Sequence, residues 1–295
     1  MARIDAILRE ASAHLTPAEA RVAQILTEDY PIAGLGTVAS LAKRAGVSDP
    51  TVVRLVAKLG FEGFPAFQRA LLEEVEQRLR SPLLMMEARG GEAGTPDAYL
   101  ASLETALAET RRRDLARNYR QAAGMILDRK AQVVLHGGRF SRFLAGMLHT
   151  HLIQLRPGVR HLDGTHAETV DALIDLGRPD LLIVFDYRRY QADVVALAEA
   201  AAARGTRILL FTDPYRSPIA ALADIVFTAP VEAGSPYDTM VPALAQVEAL
   251  MACLVEQRDD GMRRRVQDLE AVRARSRVTL DEEAEDRLPG GKAGR

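Results

Sequence analysis

Short apolar runs alternate with helical stretches in the second half of the chain, and this alternation constrains the fold more than any other feature. Five such runs occur, in the order QVVLHG, VRHLDG, LLIVFD, TRILLFTD and DIVFTAP. Parallel strands need a crossover connection, usually a helix, and helices on both faces of a sheet bury the strands between them. The pattern therefore predicts an α/β fold with a doubly wound, five-stranded parallel sheet.

The first 80 residues have a different hydrophobic periodicity, because their apolar residues recur at helical spacing. We therefore expect an all-α domain over residues 1–80. The prolines and glycines of residues 81–98 interrupt the pattern and predict a linker. A long helix is expected next, from Pro96 to about Lys130 with a break near Arg111 to Arg113. Residues 99–260 would then form the α/β domain, and residues 261–295 a charged tail whose last portion frays.

Composition excludes several classes of protein. The 295 residues suffice for two domains, and 48% hydrophobic with 26% charged residues is typical of a globular chain rather than a disordered one. The formal charge of -2 excludes a uniformly basic protein but leaves room for a local basic surface. The lone cysteine, Cys253, has no partner for an internal disulfide, which favours a reducing compartment. Without a secretory signal or a long uncharged apolar stretch, we expect a cytoplasmic protein that does not enter the membrane.

The stretch TVASLAKRAGVSDPTVVRLVAKLGFEGF carries the signals of two helices joined by a tight turn. Thr37 and Ser48 are suited to cap the two helices, Pro50 suits the first turn of the second, and Gly46 permits the turn between them. The apolar residues expected to hold the pair together are Val38, Leu41, Val47, Val52, Leu55 and Val56. This arrangement predicts a helix-turn-helix, whose second helix is free to enter a DNA major groove.

The outer face of that second helix is predicted to carry Ser48, Asp49, Thr51, Arg54 and Lys58. A hydroxyl near the helix start can reach a phosphate or a base edge, and an arginine one turn later can pair with guanine through two hydrogen bonds. Residues 37–69 contain five Lys or Arg against two acids, a local charge of +3. From the pattern alone, an ordinary helical hairpin with a solvated basic face remains an alternative.

A family resemblance favours DNA binding. LTPAEARVAQIL, followed by TVASLAKRAGVSDPTVVRLVAKLGFEGFPAFQRAL, closely resembles the N-terminal domain of the RpiR/MurR family of bacterial transcriptional regulators. The second domain resembles the sugar isomerase (SIS) domain that follows in that family. The resemblance implies that Ser48, Thr51, Arg54 and Lys58 line the DNA, with Thr37, Lys43 and Arg44 nearer its backbone. It also implies a partner, a double-stranded operator.

Two loops at strand ends are candidates for an effector site, since ligands of open α/β sheets bind beyond the carboxyl ends of the strands. In HGGRFSR, Gly137, Gly138, Arg139 and Ser141 match the glycine-serine loop of SIS domains. The second loop, VFDYRRYQ, departs from the Ser-x-Ser-Gly-x-Thr loop with which SIS domains hold phosphosugars. The hydroxyl-bearing positions are taken by Asp186, Tyr187, Arg188 and Arg189.

Two interpretations of this substitution stay open. Arg188 and Arg189 could hold an anionic effector such as a sugar acid or a sugar phosphate, because guanidinium groups are forked, permanently charged donors. We favour this one, because two adjacent arginines at a strand end are costly without an anion. Alternatively, Asp186 pairs with an arginine and Tyr187 or Tyr190 fills the pocket of a domain that only oligomerises. The stretch 234–240 is expected to overhang the pocket, and Ser217 to cap a short helix begun by Pro218.

These observations predict a transcriptional regulator without a cofactor, metal or catalytic residue, acting as a homodimer or tetramer on carbohydrate or related genes. The alternative is a sugar-phosphate isomerase, which needs a base such as His166, Glu168 or Glu232. The spacing of His136, His149, His151, His161 and His166 disfavours a metal site. Asp163 resembles the ribose-binding acid of dinucleotide folds, but the glycine order needed for nicotinamide binding is missing.

Overall fold

The computed structural model describes residues 4–11, 14–78, 86, 94–113 and 116–278. Its N-terminal part is helical, as expected. The helices are α1 (Ile4–Ala11), α2 (Pro17–Glu28), α3 (Ile32–Leu35), α4 (Val38–Ala45), α5 (Asp49–Lys58) and α6 (Phe64–Arg78). Most of the expected linker, residues 81–98, lies outside the described residues, and so does the chain beyond residue 278.

Helices α4 and α5 form the predicted helix-turn-helix. The Thr37 hydroxyl accepts a hydrogen bond from the Ser40 amide at 3.1 Å, which caps α4. Gly46 ends that helix in the left-handed region, with φ 63° and ψ 42°, where a residue without Cβ is favoured. Ser48 occupies the N-cap position of α5, but its hydroxyl contacts the Thr51 hydroxyl at 3.1 Å instead of a backbone amide. The expected side-chain cap of α5 is therefore wrong.

One apolar cluster holds the N-terminal helices together. Leu41, Val52, Leu55 and Val56 are completely buried in it, and Phe67 of α6 packs beside them. Val38 and Val47, also expected in this core, are half-buried against it. Because α2 packs against both α4 and α5, the apolar side of the helix-turn-helix is covered and its other side faces solvent.

The remainder of the described chain is an α/β domain. Its strands are β1 (Val133–Gly137), β2 (Val159–Leu162), β3 (Leu181–Phe185), β4 (Arg207–Thr212) and β5 (Ile225–Thr228). Its helices are α7 (Pro96–Arg113), α8 (Ala116–Leu127), α9 (Arg142–Leu155), α10 (His166–Asp171), α11 (Ala192–Ala203), α12 (Val241–Glu256) and α13 (Asp260–Arg275), with 3-10 turns at Ala172–Asp175 and Pro218–Ala221. The predicted long helix is thus two helices, α7 and α8.

The described strands form one all-parallel sheet in the order β2-β1-β3-β4-β5. Side chains of one face, such as Phe185, Phe211 and Phe227, pack with α8, α9 and α12. Side chains of the other face, such as Val184 and Leu210, pack with α11. Both faces are covered by helices, so the predicted doubly wound parallel sheet is confirmed.

The strand order places a topological switch point between β1 and β3. The chain leaves β1 toward β2 on one side of the sheet and leaves β3 toward β4 on the other side. The loops beyond the two carboxyl ends therefore diverge and leave a crevice, which is where open α/β sheets bind their ligands. The two candidate loops of the sequence follow these two strands.

The segment expected as a charged tail contains an ordered helix. Helix α13 packs on α9: Arg265 donates to the Ile153 carbonyl at 2.9 Å, and Met262 is buried. Most residues around Met262 are charged, so the sequence pattern did not predict that this side chain would be buried. None of the described helices combines the length and the apolar composition that a membrane span requires.

Candidate functional site

A pocket of about 210 Å³ lies at the switch point between β1 and β3. All the predicted effector residues except Gly137 line it. Among the described residues, the lining consists of Gly138, Arg139, Phe140, Ser141, Asp186, Tyr187, Arg188, Arg189, Gln191, Pro236, Tyr237, Asp238 and Met240. The structure therefore brings together two loops that are about 50 residues apart in sequence, and the stretch 234–240 borders the pocket.

The loop after β1 is tightened by side-chain and backbone contacts. A Cβ at Gly137 would lie 2.7 Å from the Arg142 amide nitrogen, so only glycine fits there. The Ser141 hydroxyl accepts from the Gly138 amide at 2.9 Å and donates to the Phe185 carbonyl at 2.6 Å. Ser141 thus ties the β1 loop to the end of β3, and its hydroxyl is committed to the protein itself.

In the loop after β3, buried carboxylates contact their own chain. Asp186 accepts from the Ser217 hydroxyl at 2.6 Å. Asp213, at the end of β4, accepts from the Arg188 amide at 2.6 Å and from the Tyr190 hydroxyl at 2.9 Å. Ser217 also caps its 3-10 turn as predicted, by accepting from the Ile219 amide at 3.2 Å. These bonds lock the β3 loop onto the β4 loop.

The guanidinium of Arg188 is neutralised inside the protein. Its side chain is only 3% exposed. Its Nε donates to both carboxylate oxygens of Asp238 at 2.9 and 3.0 Å, and its Nη1 donates to Glu232 at 3.1 Å. The costly buried charge that suggested an anionic ligand is thus compensated by two acids of the same chain. Asp186, expected to pair with an arginine in the alternative interpretation, pairs with Ser217.

Arg189 has a different environment. Its side chain is exposed at the pocket mouth, and its φ of 38° lies in the left-handed region that residues with a Cβ rarely adopt. Within the described part of the chain its guanidinium forms no hydrogen bond or ion pair. Arg139 is also exposed and lies over the Phe140 ring, 5.1 Å from its centroid. The mouth of the pocket is therefore basic, whereas its inner wall is acidic.

Burial changes the ionisation of the inner wall. It raises the pKa of Asp186 to about 6 and that of Asp213 to about 6, although hydrogen bonds from Ser217 and Tyr190 oppose the rise. Burial also raises the pKa of the Tyr190 hydroxyl, with the charge of Asp213 acting in the same direction.

We expect a pH-dependent stability from Asp186. Its folded-state pKa of about 6 exceeds the ordinary value of 3.8, so its contribution to stability is full below 3.8 and declines as the pH rises through about 6. Asp186→Asn removes this decline. The unfolding free energy of the variant, relative to the wild type, should therefore rise by about 2 kcal/mol between about pH 4 and about pH 7. Denaturant unfolding at several pH values measures it, with the exposed Asp171→Asn as control. A difference that does not vary with pH would contradict the assignment.

Sequence reasoning missed three residues that shape the pocket: Glu232, Asp238 and Gln191. Glu232 was considered only as an isomerase base, and Asp238 only as part of an overhanging stretch. The adjacent arginines were the signal that acidic partners had to exist, since a buried guanidinium requires a carboxylate partner. Nothing in the sequence indicated which acid it would be, because Asp238 lies 50 residues after Arg188.

A second candidate site is the solvent-facing side of α4 and α5. Seven of the eight predicted DNA-contacting residues are exposed there: Thr37, Lys43, Arg44, Ser48, Asp49, Arg54 and Lys58. Thr51 is buried, with 8% exposure, so its expected position on the outer face is wrong. It lies one turn before Leu55, on the stripe that packs into the core.

The basic side chains on this surface differ in how firmly they are held. Lys58 donates to Glu19 at 2.8 Å and to the His14 carbonyl at 3.0 Å, and the Glu19 pKa falls to about 2, chiefly through the Lys58 bond. Arg44 pairs with Asp29 at 2.9 Å. The Arg54 Nε donates only to the Pro50 carbonyl, at 3.2 Å, so its charge has no carboxylate partner among the described residues. Arg54 is therefore the most available of these three cations.

Val53 is a further exposed residue on α5 that the sequence analysis did not single out. Its side chain is 45% exposed beside Arg54. Val53 does not lie on the buried stripe of Val52, Leu55 and Val56. Its position outside the helical period of that stripe was the signal that could have identified it as exposed. An exposed apolar group on a helix that enters a groove can contact a thymine methyl group.

Comparison with known proteins matches both domains to known families. Residues 2–78 match the family model described as the rpiR-family helix-turn-helix domain, and residues 125–253 match the SIS domain. The chain is 26% identical over 228 residues to the transcriptional regulator RpiR of Escherichia coli K12, covering 76% of this chain and 75% of that protein.

The chain is an RpiR-type transcriptional regulator with an SIS domain.

Two solved structures resemble this RpiR-type regulator. The Vibrio vulnificus NanR protein complexed with ManNAc-6P matches with a TM-score of 0.54 at 18% identity, covering 95% of this chain and all of that one (100%). The sugar isomerase domain of an RpiR transcription factor from Sphaerobacter thermophilus matches with a TM-score of 0.53 at 25% identity, covering 61% of this chain and 97% of that one. The first likeness shows the fold alone.

In this RpiR-type regulator the candidate isomerase bases His166, Glu168 and Glu232 are not among the residues that line the pocket. Glu168 is exposed and accepts from the Thr165 amide at 2.7 Å in the capping box of α10, whose first residue is His166. Glu232 is held by Arg188. Asp163 lies near Arg142, at 3.6 Å. Among the described residues, no group of three or more His, Cys, Asp or Glu side chains is arranged to hold a metal ion.

An ion pair connects the pocket region of this regulator to its helix-turn-helix domain. Arg216, with φ 58°, precedes Ser217 in the loop after β4, and Ser217 contacts Asp186 of the pocket. The Arg216 guanidinium lies 2.6 Å from the Asp29 carboxylate, which also binds Arg44 of α4. A continuous set of contacts therefore runs from the pocket wall to a predicted DNA-contacting residue.

Proposed function

We propose that residues 1–80 bind an operator through α5 in the major groove, that residues 81–98 link the two units, and that residues 99–260 bind an effector and oligomerise. The observation that carries the proposal is the two-sided helix-turn-helix, whose apolar side is sealed by α2 while Lys43 and Arg54 are exposed. Arg54 would read a base edge, and Lys43, Arg44 and Thr37 would contact the phosphate backbone. Ser48, Asp49 and Lys58 border this contact.

The regulator would act as a homo-oligomer, at least a dimer. One helix-turn-helix contacts few base pairs, and a two-fold dimer presents two recognition helices to half-sites about one helical turn apart, roughly 34 Å. The protein would act in the cytoplasm, where the chromosome of a bacterial cell is accessible.

The pocket at the switch point would hold a small anionic effector and would not catalyse a reaction. The exposed guanidiniums of Arg139 and Arg189 at its mouth support an anion. The structural neighbour NanR is complexed with ManNAc-6P, which supports a carbohydrate-related metabolite. Against catalysis, Glu168 and His166 do not line the pocket and Glu232 is paired with Arg188.

The experiment that tests this function is selection of genomic fragments by the full-length protein at low salt, followed by fluorescence anisotropy on the enriched sequence. We expect an enriched site with two-fold symmetry and half-sites about ten base pairs apart. Affinity for that site should exceed affinity for an unrelated fragment by at least roughly a thousandfold. Equal affinity for the two fragments would overturn the proposal.

We also propose that the Arg216–Asp29 ion pair transmits the effector signal. Effector and operator then change each other's affinity, by a factor typically between about 5 and 150. In Arg216→Ala the effector should still bind, but the ratio of operator affinities with and without effector should approach one. Anisotropy titrations measure this ratio, and Arg160→Ala, which removes another surface arginine paired at 3.6 Å, is the control. A wild-type ratio in Arg216→Ala would contradict this route.

A further inference from the structure

Three backbone amide groups of the pocket loops donate to side chains of the protein. Phosphate sites at strand ends rely on unpaired backbone N–H groups that point at the ligand. Here the Gly138 amide donates to Ser141, the Arg139 amide donates to the Gln191 side chain, and the Arg188 amide donates to Asp213. These three donors are therefore closed to a phosphate group.

The Gln191 side chain also fills the space beside the first loop. A Cβ placed on Gly138 would lie 2.6 Å from Gln191 Oε1, so the amide side chain sits directly against the glycine backbone. Its Nε2 donates to Asp193 at 3.3 Å, which fixes its orientation. The side chain thus occupies the position from which a ligand oxygen would approach the loop.

The inner charges repel a phosphate. Arg188 is the only buried guanidinium lining the pocket among the described residues, and Asp238 and Glu232 hold it. The pocket-lining carboxylates Asp186 and Asp238 face a phosphate with like charge. Each carboxylate has about four acceptor positions, of which the contacts with Ser217, Gln191 and Arg188 use only part. Remaining acceptors on a buried wall suit a ligand rich in hydroxyl groups.

The mouth of the pocket has the opposite character. Arg189 presents a guanidinium that has no partner among the described residues, from a backbone conformation with φ 38°. Such strain is retained where the surrounding structure imposes it, often at ligand sites. The fork of a guanidinium matches a planar carboxylate through two parallel hydrogen bonds. The exposed rings of Phe140 and Tyr237, 62% and 59% exposed, flank the mouth and offer apolar faces to a carbon skeleton.

We propose that the pocket binds an unphosphorylated sugar acid, with its carboxylate at Arg189 and its hydroxyl groups toward Asp186 and Asp238. This inference rests on the proposed function and specifies its effector. The acidic inner wall and the three occupied amides exclude the phosphate of a sugar phosphate from the inner part of the pocket. A sugar acid with a single negative charge can place its carboxylate against the basic mouth and its hydroxyl groups against the acidic inner wall.

The test is isothermal calorimetry on the full-length protein with matched compounds. The panel contains gluconate, glucuronate and galacturonate, the neutral sugars glucose and galactose, and the 6-phosphates of these two sugars. We expect at least one acid to bind at least tenfold more tightly than every neutral sugar and every phosphate. A phosphate that binds more tightly than all the acids, or no binding of any acid at millimolar concentration, would overturn the proposal.

Two variants locate the binding site. Arg189→Gln should weaken binding of the preferred acid at least tenfold, whereas Arg120→Gln, which removes an exposed arginine on α8, should leave it unchanged. Unchanged binding in Arg189→Gln would refute the assigned carboxylate position. Operator binding without effector should be equal in both variants. Failure of the wild type to bind any operator would instead refute the proposed function. The calorimetry would still show whether the pocket binds a sugar acid.

Discussion

We expect Arg188→Ala to lose about 3 kcal/mol of unfolding free energy, because the substitution leaves Asp238 and Glu232 facing each other without their shared cation. Removing one partner of a buried ion pair costs more than the pair itself contributes, since the remaining charge stays partly desolvated. The partners are 29% and 26% exposed, which places the expected loss at the lower end of the range for buried pairs. The loss corresponds to a decrease in Tm of roughly 6 to 12 °C.

Thermal and urea unfolding of the full-length protein measure this effect. The matched control is Arg189→Ala, which removes the adjacent exposed arginine and should change the unfolding free energy by less than about 0.5 kcal/mol. The double variant Arg188→Ala with Asp238→Ala should lose less than the sum of the two single variants, because each single change strands the partner. Strict additivity would show that the two side chains do not stabilise each other.

Arg54→Ala should weaken operator binding by roughly 1 to 3 kcal/mol for each half-site, because Arg54 is exposed on α5 and, among the described residues, its side chain contacts no carboxylate and donates to the Pro50 carbonyl. A dimer loses this contact twice, so the total loss reaches roughly 2 to 6 kcal/mol. The variant should also lose its discrimination between bases at one position in each half-site, and keep it at the other positions. Anisotropy titrations at constant salt on the selected operator and on single-base variants measure both effects.

Two controls separate base reading from general attraction. Lys43→Ala, if Lys43 contacts phosphate, should weaken all sequences about equally and reduce the salt dependence by about one ion for each half-site. Arg69→Ala removes one exposed charge from α6 of the same domain and should have little effect. If Arg54→Ala weakens every sequence equally, Arg54 contacts only the backbone. If Arg54→Ala binds like the wild type, α5 does not enter the major groove with this side chain.

The arrangement of α4 and α5 was predictable because its signals are local. Thr37, Gly46 and Pro50 act on backbone atoms within a few residues, and the apolar stripe from Val52 to Val56 repeats at the period of the helix. Thr51 belongs to that stripe by spacing, but its polar side chain suggested an outer position. Its burial became evident only when α2 was placed against α5.

The pocket was predictable in position and not in its charge balance. Switch-point geometry follows from the order of parallel strands, so the loops after β1 and β3 were identified as its walls. Arg188 was predicted to bind an anion, and the neighbouring Asp186 was the one carboxylate considered as its alternative partner. Its actual partners, Glu232 and Asp238, are 44 and 50 residues away and approach it only through the loop after β5.

The sequence by itself determined the two kinds of domain, the parallel sheet and the helix-turn-helix, because hydrophobic period, caps and glycines act over a few residues of chain. Tertiary structure alone decided which charges remain available. Ion pairs such as Lys58 with Glu19, Arg216 with Asp29 and Arg188 with Asp238 join residues far apart in the chain. The strength of a charge toward a ligand depends on what already neutralises it, and that depends on distances in space, which a linear pattern does not contain.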